Sequence, residues 1–191
     1  MSGEKRTYRK KQRAESEAET RLRITRSAME LHGSVGPSQT SVSAVADRAG
    51  VRRSTVYRHF PDEAALFAAC SAHWAALNPP PDIGAWAAVT DPGERARHGL
   101  RELYAYFRRN ERMLANLLRD EELVAPVKQQ FAAFHEFLGA ARDILLGGRA
   151  RKAKAAAGHA VSFTTWQSLA REQGLSDRRA AELMARLVDA A

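Results

Sequence analysis

Between Gly50 and Pro61 the chain has room for one helix of about two turns, and that limit governs how its neighbours must fold. A residue before proline avoids helical angles, so the helix ends by Phe60. Gly50 suits a tight turn between two helices, where positive φ is needed. Within GVRRSTVYRHF, Val56 and Phe60 are the helix's one strong apolar pair, and Val51 can plug the turn. The other helical positions are Arg53, Ser54, Thr55, Tyr57, Arg58 and His59, preceded by Arg52. A helix with so little apolar surface must lean on its neighbours and present donors and cations outward.

The neighbours supply what it lacks. Ile24, Ala28, Leu31 and Val35 recur at helical spacing, and HGSVGPSQ ends that helix with glycine and proline. Thr40 or Ser41 caps the next, whose narrow apolar face is Val42, Val45, Ala46 and Ala49. Pro61 fits the first turn of a following helix, with Asp62 and Glu63 at its N-terminal dipole. Asn78-Pro79-Pro80-Pro81-Asp82 is a semi-rigid linker. Beyond it Asp91-Pro92-Gly93-Glu94 reads as N-cap to N3 of a helix through Phe107. A short helix around Met113–Leu118, a long one from Val127 to Leu145, one from about Arg151 to Gln173 and a last one from 177 to 190 complete the pattern. No useful strand-period alternation and no internal repeat appear. The expected class is all-α with about nine helices, in two domains: residues 1–78, with 1–18 a basic disordered arm or frayed helix start, and residues 82–191.

The net charge of +8 is unevenly spread. Residues 1–60 hold 13 Lys and Arg against 6 Asp and Glu, a net of +7; residues 61–191 hold 17 against 16. Such asymmetry points to a nucleic-acid-binding end and a neutral remainder. Lys5, Arg6, Arg9, Lys10, Lys11 and Arg13 can track phosphates or serve only as solubilising charge; the run GGRARKAKA from 147 reads as a solvated segment. No stretch of about 18 apolar residues suggests a membrane span, and the charged N-terminus lacks the apolar region of a secretory signal. One cysteine, Cys70, excludes an intramolecular disulfide and a cysteine-based zinc site. The expectation is a soluble cytoplasmic protein without cofactor.

Catalytic chemistry finds no support. The six histidines are scattered without a metal-binding spacing, Asp120-Glu121-Glu122 reads as a helix start or solvated loop, and Ser162, His159 and Asp143 form no nucleophile motif. No glycine-rich phosphate loop is present. His73 and His135 lie beside helix faces as core or boundary groups. The chain is expected not to be an enzyme and to hold no metal.

The two helices flanking Gly50 form a helix–turn–helix whose second member faces the DNA major groove. The stretch TSVSAVADRAGVRRSTVYRHFPDEAALF resembles the DNA-binding signature of TetR/AcrR-type transcriptional regulators, through Val45-Ala46, Ala49-Gly50-Val51, Thr55-Val56-Tyr57, Tyr57 to Phe60, and Leu66-Phe67. The close resemblance covers about residues 20–77. It implies that Arg53, Thr55, Tyr57, Arg58 and His59 touch DNA. Arg53 and Arg58 suit guanine edges, while Thr55, Tyr57 and His59, with Ser41 and Ser43 of the preceding helix, suit phosphates. The family usually places a small hydroxyl where this chain has Arg52. That substitution removes an N-cap worth about 1 kcal/mol and adds a possible phosphate contact.

The resemblance also implies a palindromic operator on double-stranded DNA, a homodimer, and a small-molecule effector whose entry into the C-terminal domain releases the DNA. Dimerisation has its own reason: one short helix in one groove buries too little for specific affinity. The last two helices are the expected interface, with Trp166 and Leu183 at or near the seam. Tyr104, Phe107, Met113, Phe131, Phe134, His135, Phe163 and Trp166 can line a ligand pocket or form core. The reading is a ligand-released repressor. A constitutive regulator without a switch, and an all-α small-molecule-binding module or enzyme, stand as alternatives.

Overall fold

The computed structural model describes residues 2–148 and 151–191, with side chains from Thr7 onward. Met1, the side chains of Lys5 and Arg6 in the basic arm, and Arg149 and Ala150 of the second basic run lie outside the described residues. Among the described residues the regular structure is entirely helical. The order is α1 (Ser2–Ser34), a 3₁₀ turn (Pro37–Gln39), α2 (Val42–Ala49), α3 (Arg53–His59), α4 (Glu63–Leu77) and α5 (Ile83–Ala87). Then come α6 (Pro92–Asp120), α7 (Ala125–Leu146), α8 (Arg151–Ala160), α9 (Phe163–Gln167), a π-helical turn (Ser168–Glu172) and α10 (Asp177–Ala190).

Three expectations about elements need correction. The arm is neither disordered nor frayed: α1 starts at Ser2. Helix-forming residues fill it, and pairs one turn apart brace it, including Lys11–Glu15 at 3.9 Å and Arg13–Glu17 at 3.2 Å. The two helices expected between Ala96 and Leu118 are one, α6. The polar run between them is no breaker; buried Asn110 donates to the Tyr106 carbonyl one turn back, at 2.9 Å, and stays within the helix. Conversely, the helix expected from Arg151 to Gln173 breaks after Ala160. Val161, Ser162, Thr164 and Thr165 are weak helix formers, and the Tyr104 hydroxyl donates to the Ala160 carbonyl at 2.8 Å, a partner at the end of α8.

The chain forms two compact units. The first takes in the residues up to Leu77 together with Asn116–Gln130; the second takes in Asn78–Ala115 and Phe131–Ala191. In the first, α1 packs on α2 and α4, and α2 packs on α3. Its core holds Ile24, Ala28, Val45, Ala46, Val56 and Phe60. Val35 lies past the end of α1 and is 43 % exposed, so the stripe does not run to its expected end. His32 turns inward there instead. Its Nδ1 stands 3.4 Å from the Cys70 sulfur and its ring 5.2 Å from that of Phe67.

The same unit holds a carboxylate with no exposed surface, Asp120. It accepts from the Ser38 backbone N–H at 2.9 Å and from the Arg119 guanidinium at 2.8 and 3.0 Å. Burial works to raise its pKa, but these hydrogen bonds outweigh it and the net shift is downward. Arg119 also donates to the Val35 carbonyl, and Asn116 donates to those of His32 and Gly33. The last turn of α6 thereby satisfies the carbonyls at the end of α1. The expectation of a solvated loop or helix start at Asp120 is corrected: it is a buried helix terminus.

The second unit is closed by ion pairs along α10: Arg108–Asp177 at 2.6 Å, Arg101–Glu182 at 3.1 Å and Arg97–Asp189 at 3.9 Å. Gly99 gives Trp86 and Leu145 room, for a Cβ there would stand 2.8–2.9 Å from both.

Burial pushes the His32 imidazole down to about 4, partly opposed by the Asp120 carboxylate. The unfolded chain then binds an extra proton between about pH 4 and 6.5, so stability is full above that window and falls as pH drops through it. The loss attributable to His32 is about 3 kcal/mol. Urea unfolding across that window, compared between the wild type and His32→Gln, checks it: the variant should lose this part of the pH dependence.

Candidate nucleic-acid interface

Ser41 caps α2, its hydroxyl oxygen accepting from the Ala44 N–H at 3.1 Å. Of the two caps open from the sequence, Thr40 is not used; its hydroxyl donates to the Gly36 carbonyl at 2.8 Å. Gly50 ends α2 in the left-handed region, φ 64°, and the Val51 N–H closes the turn on the Ala46 carbonyl at 3.0 Å. The chain then turns directly into α3.

α3 has seven residues and buries Val56; Phe60, its C-cap, is 1 % exposed. Arg52 is the N-cap residue, with extended backbone and no side-chain cap bond, as the missing hydroxyl implied. Pro61 stands before α4 rather than in its first turn; Asp62 makes the cap, accepting from the Ala65 N–H at 2.7 Å.

The expected contact residues fall on one unit and mostly on its surface. Ser41, Ser43, Arg52, Arg53, Tyr57 and Arg58 are exposed, while Thr55 and His59 are half-buried. Arg53 is already paired within the helix: its guanidinium donates to the Tyr57 hydroxyl at 3.2 Å and lies 5.5 Å from that ring's centre. His59 sits differently from its neighbours. Its Nε2 is buried without a partner, and burial followed by the Arg58 and Arg21 charges lowers its pKa, with Glu17 opposing. It therefore favours the neutral ring. No spacing rule pointed to Arg21, on α1, which donates to the His59 carbonyl; its cation 38 positions upstream carries no local signal.

The residues offered for a ligand pocket gather in the second unit as two aromatic groups. Tyr104, Phe107, Phe163 and Trp166 are shut from solvent and meet ring to ring, Phe107–Phe163 at 5.4 Å and Phe163–Trp166 at 5.3 Å. Phe131, Phe134 and His135 form the other, with Phe131–Phe134 at 4.8 Å and Phe131–His135 at 5.3 Å. Phe134 and Met113 are half-buried and His135 is exposed. Trp166, also expected near a seam, is fully buried within the chain and donates to Asp177 at 2.9 Å. Leu183 and Leu187 of α10 are 45 % and 42 % exposed.

Among the described residues no group of three or more His, Cys, Asp or Glu could hold a metal ion, and no helix is long and apolar enough to cross a membrane. Cys70 is buried, and burial pushes its thiol up to about 12.

Residues 24–70 match the model of bacterial regulatory proteins, tetR family. Solved structures share the fold at low identity. NalD, the secondary repressor of the MexAB-OprM multidrug efflux pump in Pseudomonas aeruginosa, is 20 % identical with a TM-score of 0.63, over 92 % of this chain and 96 % of that one. A TetR-like transcriptional regulator from Rhodococcus sp. RHA1 is 18 % identical with a TM-score of 0.62, over 88 % and 93 %. The TetR family regulator PfmR from Thermus thermophilus is 20 % identical with a TM-score of 0.61, over 86 % and 96 %. No curated protein matches the chain in sequence.

Because Arg52 leaves the first turn of α3 uncapped, Arg52→Ser should raise stability by about 0.5–1 kcal/mol. Urea unfolding measures it, with the gain appearing as a higher midpoint at unchanged slope.

Proposed function

We propose that this chain, whose N-terminal domain is that of the tetR family of bacterial regulatory proteins, represses transcription from a palindromic operator and is released from it by a small molecule. One observation carries the DNA-binding part: α3 buries little more than Val56 and turns Arg52, Arg53, Tyr57 and Arg58 outward together. Only donors and cations occupy that face, as a surface of phosphates and guanine edges requires.

Arg53 and Arg58 read bases. Ser41, Ser43, Arg52, Thr55 and Tyr57 hold phosphates, with His59 contributing once its ring turns outward. A homodimer formed through α8 to α10 brings two such helices to successive major grooves. The exposed Leu183 and Leu187 support that interface. Repression is preferred to activation because NalD, of the same fold, is a repressor. The protein works where the DNA is, in the cytoplasm, and needs no cofactor.

The effector site is assigned to the aromatic groups of the second unit, of which Phe134 is half-buried and His135 exposed. A ligand there switches the protein only by its difference in affinity between the two states. The full burial of Tyr104, Phe107, Phe163 and Trp166 favours a second reading, a regulator without a switch. Release of the operator by members of a small-molecule panel separates the two.

Selection from random duplex DNA at near-physiological salt tests the main reading, and a palindromic winner is expected. Arg53→Ala should weaken binding to that winner roughly tenfold or more and relax one base position. Deleting residues 2–13 should flatten the dependence of log Kd on log salt by about 0.9 for each phosphate that the arm neutralises; an unchanged slope would make the basic end of α1 a bystander.

A further inference from the structure

α3 is too short to hold its own direction. Isolated helices of this length are unstable in water, and this one has no side-chain cap at Arg52. Val56 and Phe60 seat its inner face on the core, and nothing in that apolar contact sets the direction of its C-terminal end. Among the described residues, a polar group bonded to its far end comes from α1. The Arg21 guanidinium donates to the carbonyl of His59, the last residue of α3, at 2.5 Å. The same guanidinium lies over the Phe60 ring, 4.1 Å from its centre.

We propose that Arg21 is a positioning residue for DNA recognition, setting the angle of α3 from α1 without itself touching DNA. The inference rests on the DNA-binding reading above. Three effects converge on one side chain: a hydrogen bond to a carbonyl at the helix end, a cation at the negative end of the helix dipole, and a cation over an aromatic face. Arginine suits the task because its planar fork can donate and stack at once. α1 is the right anchor, since it packs on both α2 and α4. The charge also reaches His59, lowering its pKa after burial and Arg58 have done so, while Glu17 of α1 works the other way. The recognition helix thus has its inner face seated on the core and its C-terminal end tied to α1.

Amide hydrogen exchange of the full chain without DNA tests the tether directly. In Arg21→Met, the Val56–Phe60 amides should exchange at least fivefold faster, while those of α2 and α4 keep their rates. Arg21→Lys, which can donate but not stack, should recover part of the protection. Unchanged α3 exchange in Arg21→Met overturns the proposal. So does an equal loss of protection in every helix, which would make Arg21 a general stabiliser.

The second arm uses the operator selected by the wild type and a scrambled duplex. Arg21→Met should bind the operator about tenfold more weakly, with binding to the scrambled duplex and its salt slope unchanged. A matching loss on both duplexes, with the slope reduced by about 0.9, would make Arg21 a phosphate contact and overturn the proposal. A wild type that selects no duplex would instead refute the regulator reading, and the exchange arm would still decide whether Arg21 holds α3.

Discussion

A carboxylate without solvent contact sits at the root of the first unit. Asp120 can remain ionised there because the Ser38 N–H and the Arg119 guanidinium replace the water it has lost. Those two bonds also hold the turn that leads from α1 into α2. Gly36 shows how tight the arrangement is: its φ is 97°, and a Cβ would stand 2.0 Å from the Arg119 guanidinium and 2.6 Å from the Asp120 carboxylate. Buried charge of this kind is poor evidence for net stability, but removing its partners would leave the Asp120 carboxylate stranded. The start of α2 follows from it, Ser41 standing three residues beyond the bonded Ser38.

From that fixed start the helix–turn–helix is built by backbone constraints more than by side-chain packing. Ser41 opens α2, left-handed Gly50 closes it, and extended Phe60 before Pro61 ends α3. Between these points the apolar residues face inward and the cationic ones are left over. The exposed basic face is therefore what a small core leaves over, before any binding is considered.

The sequence showed most of this domain in advance because its signals are local. Gly50, Pro61, the stripe through Val42, Val45, Ala46 and Ala49, and the hydroxyl missing at Arg52 all act within a few residues of where they stand. The Asp91 cap was legible for the same reason, and it accepts the backbone N–H three residues on, from Glu94. What escaped was long-range. Asp120 meets Ser38 across 82 residues, Tyr104 meets Ala160 across 56, and Arg21 meets His59 across 38. Polar stretches misled in both directions: the run around Asn110 continues a helix, and Val161-Ser162 interrupts one. The candidate DNA contacts were proposed from residue type and from what the segment resembles. That two of them, Arg53 and Tyr57, are bonded to each other depends on rotamers, which spacing does not fix.

The Arg53–Tyr57 pair bears on the time course of an encounter. A free arginine at the protein surface samples many rotamers and surrenders that freedom on docking. Here the phenol has already narrowed the choice, at the first turn of the helix that would enter the groove. On the proposed DNA-binding reading, an incoming duplex would meet a guanidinium whose choice of rotamer the Tyr57 hydroxyl has narrowed. The same bond must loosen if both donors of the fork are to turn to a base. On that reading Tyr57 would be a rest position for Arg53, one that trades a little final affinity for readiness.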